Sequence, residues 1–170
     1  ESRDGDRSLD TAIMVSCDLI GIPAEVLRLV REEVHQQLPD LDTTKIFLNG
    51  THTHTAPVLE PGNFVLPKEG VTPVEEYRAF LVRQVADAIA QAWKGRGSGS
   101  VTWGLGHAVV AQNRHAVYAD GSAQMYGKTN VPEFRGLEGY EDHDVDSLFF
   151  WNEAGKLISI VVNVSSTAQE

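Results

Sequence analysis

The stretch "TAIMVSCDLIGIPAEVLRLV", Thr11 to Val30, carries the two patterns that decide the fold. Thr11 to Cys17 is an apolar run rich in β-formers, the composition of a buried strand. Pro23 follows a short turn, and proline suits a helix start because its missing N–H would find no intrahelical partner there anyway. Beyond it Val26, Leu27, Val30, Val34 and Leu38 recur at helical spacing, so this helix buries one face.

The alternation continues downstream. "KIFLNG" reads as a second strand, and "TPVE", Thr72 to Glu75, reads as a capping box that opens a second helix. That helix runs through Tyr77, Leu81, Val85 and Ala88 to Trp93 and ends at "KGRG". After it "VTWGLGHAVV" alternates with period two, and "SLFFWN" and "KLISIVVNV" are strands joined by the turn "NEAG". The order β-α-β-α-β-β-β predicts an α/β fold: a single layered domain over residues 1–170, with a mixed β-sheet flanked by helices. Between Ala111 and Asp144 lies a long segment rich in Asn, Gly, Tyr and charge, expected to be a functional or disordered loop. Inside it Tyr118 and Tyr126 flank "ADGSAQM" as a hairpin, their rings packing or lining an entrance. Upstream, "RDGDR" has the Asp-Gly mark of a tight hairpin turn, with too little chain before it for a strand. On that reading the chain is incomplete at this end.

Bulk properties narrow the function. The 170 residues are 42% hydrophobic and carry a formal net charge of −10. Nucleic-acid binding rests on clustered Lys and Arg, so phosphate backbones are not expected as partners. No apolar run approaches the roughly 20 residues of a transmembrane helix, and the polar start "ESRDGDRSLD" does not read as a signal peptide. The single Cys17 excludes an internal disulfide and, within its apolar run, is expected to be a buried, inert thiol.

Chemistry concentrates in "FLNGTHTHTAP", Phe47 to Pro57. If the strand continues through it, His52 and His54 point to one face, since side chains alternate along a strand. The carboxyl ends of strands in α/β sheets are where ligands bind. The pair then suits a metal or paired acid–base chemistry; alternatively, both rings are satisfied by backbone carbonyls beneath a loop. Zinc requires three or four ligands, so two histidines do not complete a site. A His-X-His-X-Asp-His site is excluded, because Ala56 and Pro57 stand at its last two places. An eightfold barrel with His-X-His on its first strand needs a far longer chain.

"NGTHTHTAP" resembles the Gly-Thr-His-Thr-His-Ser-Gly-Pro motif of the neutral/alkaline (non-lysosomal) ceramidase family. "AIMVSCDLIGIP", "AQNRHA" and "VDSLFFWNEAGKLISIVVNVSS" resemble further family segments in the family's order, so the likeness covers almost the whole chain. The resemblance implies a zinc-dependent amidohydrolase that cleaves the N-acyl bond of ceramide or a related lipid amide, in a secreted or periplasmic protein. It implies that His52 is a zinc ligand, that His54 contacts the substrate or the oxyanion, that Arg114 steadies the developing charge or orients the substrate, and that Asn113 binds substrate.

The departures matter equally. Ser165 stands nearest the position of the family's second zinc histidine, and a hydroxyl is a poor zinc ligand. Asn-Arg-Ser has become Asn113-Arg114-His115, and the family's later Glu and Tyr ligands lie beyond Glu170. The chain therefore reads as a piece of a ceramidase-like protein, expected to self-associate through uncovered sheet edges and to hold zinc weakly by itself. A relative acting on another amide or ester, and a non-catalytic binding domain, are the alternatives. His115 is either a substitute ligand or a solvated loop residue; His143, among acids, either joins a metal site or is hydrated. His107 shares a strand face with Trp103 and Leu105 and is expected at the core or an edge. The sequons at Asn49 and Asn163 fall in predicted buried strands, where a glycan has no room.

Overall fold

The computed structural model describes residues 1–5, 7–62, 64–67 and 69–166. The chain is α/β and forms two compact units, Glu1–Arg96 and Gly97–Ser166. No helix among the described residues is long and apolar enough to cross a membrane.

The first unit is built on a β-α-β core. Strand β3 (Ile13–Cys17) leads through Pro23 into helix α1 (Ala24–Gln37), and the chain returns as β4 (Ile46–Gly50), parallel to β3 with Ile13 opposite Ile46 and Cys17 opposite Gly50. Pro23 is the residue before the first helical turn, and its carbonyl accepts from Val26 and Leu27 N–H. Val26, Val30 and Val34 are fully buried, as their spacing predicts, and pack with Ile46 and with Val82, Val85, Ala86 and Ile89 of helix α2 (Val74–Lys94). Each such aliphatic side chain removed from water contributes on the order of 1.5–3 kcal/mol. Arg31 ties α1 to β4 by donating to the Ile46 carbonyl at 3.0 Å, and Gln37 donates to Asp87 of α2 at 2.9 Å.

Two details of α2 differ from the sequence reading. The Thr72 capping box does not form: Pro73 holds the cap position and no side chain bonds to the free N–H groups. The buried stripe runs Val82, Val85, Ala86, Ile89, Ala90, so Ala88 is exposed while Tyr77 and Leu81 only border the core. The hairpin at the N-terminus also differs. A three-residue strand, β1 (Ser2–Asp4), does precede the turn and pairs antiparallel with β2 (Arg7–Asp10), with Gly5 at φ 57° entering the turn.

The second unit holds two antiparallel sheets. One has the order β10-β9-β5, from β5 (Gly99–His107), β9 (Asp144–Asn152) and β10 (Leu157–Val164). The "NEAG" turn joins β9 to β10, with Gly155 at φ 72° and its N–H bonded to the Asn152 carbonyl at 2.9 Å. The other has the order β7-β6-β8, from β6 (His115–Tyr118), β7 (Ala123–Met125) and β8 (Phe134–Leu137). The segment expected to be a long loop is thus largely a small sheet, and its β6–β7 hairpin is the one bracketed by Tyr118 and Tyr126. Asn49 and Asn163 lie in strands but are exposed, contrary to the burial expected of them.

Candidate functional site

Parallel pairing brings the carboxyl ends of β3 and β4 to one edge, and the segments that leave them, Leu19–Gly21 and Thr51–His54, cross there. Thr51 N–H donates to the Cys17 carbonyl at 2.9 Å and His52 N–H to the Leu19 carbonyl at 3.0 Å. Gly50 permits the crossing, because a Cβ on it would stand 2.7 Å from the Leu19 carbonyl oxygen. The strand ends at Gly50, and His52 has φ 62°, a left-handed conformation that is uncommon outside glycine. The two-residue strand period therefore does not place the histidines. The turn does so: the rings of His52 and His54 meet edge to face with centroids 5.1 Å apart.

The ring of His52 is fixed in a chemically specific way. Its Nδ1 lies 2.6 Å from the Ile20 carbonyl, which can only accept, so Nδ1 carries a proton, and in the neutral ring the lone pair is then on Nε2. Metal-binding histidines are commonly oriented by this kind of bond. His52 is half-buried and His54 exposed. Among the described residues no three or more His, Cys, Asp or Glu side chains are grouped to hold a metal. Thr51 donates to Asp18 at 3.3 Å, bracing the crossing from the side. Cys17, at the end of β3, is half-buried; burial, then the charge of Asp18, pushes its thiol pKa up and keeps it protonated at neutral pH.

Beside the pair is a cavity of about 490 Å³ with His54 in its wall. Ile20, Ile22, Pro57, Leu59 and Phe64 supply much of the rest, so the wall is largely hydrocarbon, with Glu60 among its polar members. Leu59 belongs to the core and anchors this wall. Sequence reading did not connect these residues to the site. For Ile20 and Ile22 the signal lay in "DLIGIP", whose glycine and apolar side chains belong to the turn that faces the histidines.

Asn113, Arg114 and His115 belong to the second unit. Both ends of the Asn113 amide are engaged inside it: Oδ1 accepts from His115 N–H at 2.9 Å and Nδ2 donates to the Glu138 carbonyl. Asn113 N–H also donates to Glu141 at 3.0 Å, which holds that carboxyl below its ordinary pKa. Arg114 is exposed, donates to the Tyr126 hydroxyl and lies over the Tyr126 ring at 5.2 Å. Tyr126 itself has φ 55°. His115 pairs with Glu138 at 2.6 Å as a member of β6, and Ser165 donates to Asp142 at 3.1 Å. The His143 carbonyl accepts from Ala108 N–H, while His107 pairs with Asp144 at 3.1 Å on an exposed strand end.

No model of a known protein family matches the chain, and no curated protein or solved structure matches it.

Proposed function

We propose that the chain carries part of a zinc-dependent amidohydrolase site of the ceramidase kind, acting on the N-acyl bond of a lipid amide. The observation that supports this most directly is the His52 ring, whose Nδ1 is committed to the Ile20 carbonyl, which leaves Nε2 of the neutral ring as the metal-binding nitrogen near the carboxyl end of a parallel strand pair. Zinc, when bound, polarises the amide carbonyl and lowers the pKa of a coordinated water. His52 is proposed as one of its ligands, and a closed shell needs at least two donors besides. His54, in ring contact with His52 and in the wall of a largely apolar cavity, is proposed to contact the substrate or the oxyanion. The cavity is suited to the hydrocarbon part of such a substrate. For the second unit, by the family resemblance, Arg114, exposed and braced by Tyr126, is proposed to steady negative charge or orient the substrate, and Asn113 to bind substrate.

The test is zinc content and N-acyl amide turnover for His52→Ala, His54→Ala and Arg114→Ala in the longest active form of the protein. His52→Ala is expected to lose metal and activity together. His54→Ala and Arg114→Ala are expected to keep most of the metal and lose turnover by roughly 10²–10³, the scale of one oxyanion donor. Full activity in both histidine variants would return the pair to two satisfied rings in a turn.

A further inference from the structure

The cavity beside His54 lies within the first unit, and its charge bears on which end of an amphiphile it receives. Its volume of about 490 Å³ falls in the range of roughly 300–1,000 Å³ usual for small-molecule sites. Ile20, Ile22, Pro57 and Leu59 make the wall hydrocarbon; among the described residues that line it, the side chains able to carry charge are His54 and Glu60. Glu60 is exposed and held at the wall by its neighbours. Leu59 is buried in the core, and Pro61 disfavours helical backbone at the residue before it. Segment 51–73 holds three Asp, Glu, Lys or Arg residues: Glu60, Lys68, which falls outside the described residues, and Glu69, which does not line the cavity. Asp18, bonded to Thr51 at 3.3 Å, adds a second acid at the strand crossing. An acid beside a hydrocarbon wall favours a cationic amphiphile over an anionic one of the same chain length.

We infer that this cavity receives the amine half of the lipid amide, its alkyl chain against the hydrocarbon wall and the ammonium formed on cleavage against Glu60. The inference rests on the lipid-amide reading given above and names the half of the substrate that the cavity holds. In hydrolysis the oxygen of water bonds to the acyl carbon, the C–N bond breaks, and one proton of the water goes to the nitrogen. At neutral pH the acid so formed passes its proton to the amine, which leaves a carboxylate and an alkylammonium. Glu60 repels the first product and attracts the second. The acid therefore leaves first and the amine is retained.

The probes are n-octylammonium, octanoate and n-octanol, which share a chain length and differ in charge. They are titrated into the 170-residue chain at about pH 8, where imidazoles are ordinarily neutral, and binding is read from the ring ¹⁵N and ¹H shifts of His54. Octylammonium is expected to bind roughly three- to tenfold more tightly than octanol, the scale of a charge-assisted hydrogen bond open to solvent, and octanoate more weakly than either. Added salt is expected to shrink the amine preference. Glu60→Gln is expected to bring octylammonium down to the octanol level, while octanol still binds and reports an intact wall. Equal binding of octylammonium and octanoate overturns the inference, as does a preference that survives Glu60→Gln or is unmoved by salt, or failure of all three to bind. In the longest active form, octylammonium is expected to inhibit amide turnover competitively and octanoate to inhibit it less. Turnover that octylammonium does not inhibit overturns the inference and leaves the amide reading standing. An amine preference without any turnover overturns the amide reading and leaves a cation-selective cavity.

Discussion

The candidate site turns on Gly50 and His52. A strand reading of "NGTHTH" assumes extended backbone throughout, and period-two logic then aims both rings together. The rings do meet, through a turn whose positive φ at His52 no apolar pattern announces, because a backbone carbonyl from a different segment holds it. That carbonyl, on Ile20, is invisible to any reading of side-chain types. The glycine was legible as missing bulk; what uses the space was not. Gly50→Ala puts a methyl 2.7 Å from the Leu19 oxygen, so the turn must move. A loss of about 1–3 kcal/mol in chemical denaturation is expected. The His52 ring should also lose its fixed tautomer, which ¹⁵N shifts of the imidazole report. A variant that keeps both stability and tautomer would mean that the crossing is looser than its distances imply.

Among the elements, the helices were legible where burial is periodic and the long strands from their runs of β-forming residues, and the short strands were not. Val26, Val30 and Val34 repeat at helical spacing against a core, so the sequence carries their placement. Strands β6, β7 and β8 are three or four residues each, and of these only Ala116 is buried, which leaves almost no alternation to detect. The start of α2 was misread because Ser/Thr-x-x-Glu is a side-chain pattern, whereas here Pro73 occupies the cap itself. Thr72→Ala is accordingly expected to change stability by less than about 0.5 kcal/mol, where a working cap would cost about 1. Ile89→Ala, inside the stripe, is expected to cost about 2–5 kcal/mol. Thermal melts of the two variants separate these cases.

The second unit also carries an acid-sensitive brace. Glu141 accepts from Asn113 N–H at 3.0 Å, and Asp142 accepts from Asp144 N–H at 3.0 Å and from Ser165 at 3.1 Å. These bonds are the leading causes that hold both carboxyls below their ordinary pKa. A carboxyl whose folded pKa is depressed stabilises the fold above its unfolded pKa, and that contribution fades as pH falls through the folded value. The brace should therefore be intact at neutral pH and loosen below about pH 4, the ordinary carboxylate range. Glu141→Gln with Asp142→Asn should flatten the acid limb of a stability-against-pH curve for this unit. An unchanged acid limb would assign the sensitivity to other groups.

For the molecule as a whole, the sheet β10-β9-β5 carries the main hazard. Its outer strands are nine and eight residues long, contain no proline or lysine, and expose Trp103 at 81%, Leu105 at 62% and Ile158 at 63%. Soluble proteins ordinarily blunt such edges with charge, proline or a bulge, because unpaired N–H and C=O groups recruit another strand. The one irregularity here, between Leu157 and Ser159, lies at the start of β10 and leaves Ile160 to Val164 in regular register with β9. "LISIVV" is besides a short, uncharged, β-branched run of the kind that pairs with itself. We therefore expect the 170-residue chain to self-associate at micromolar concentration through this edge. Val162→Lys, on an exposed position of the edge strand, should shift sedimentation velocity profiles toward monomer while leaving circular dichroism unchanged. A parent chain that sediments as a monomer across that range would show that the edge is protected, and the lysine would then have nothing to correct.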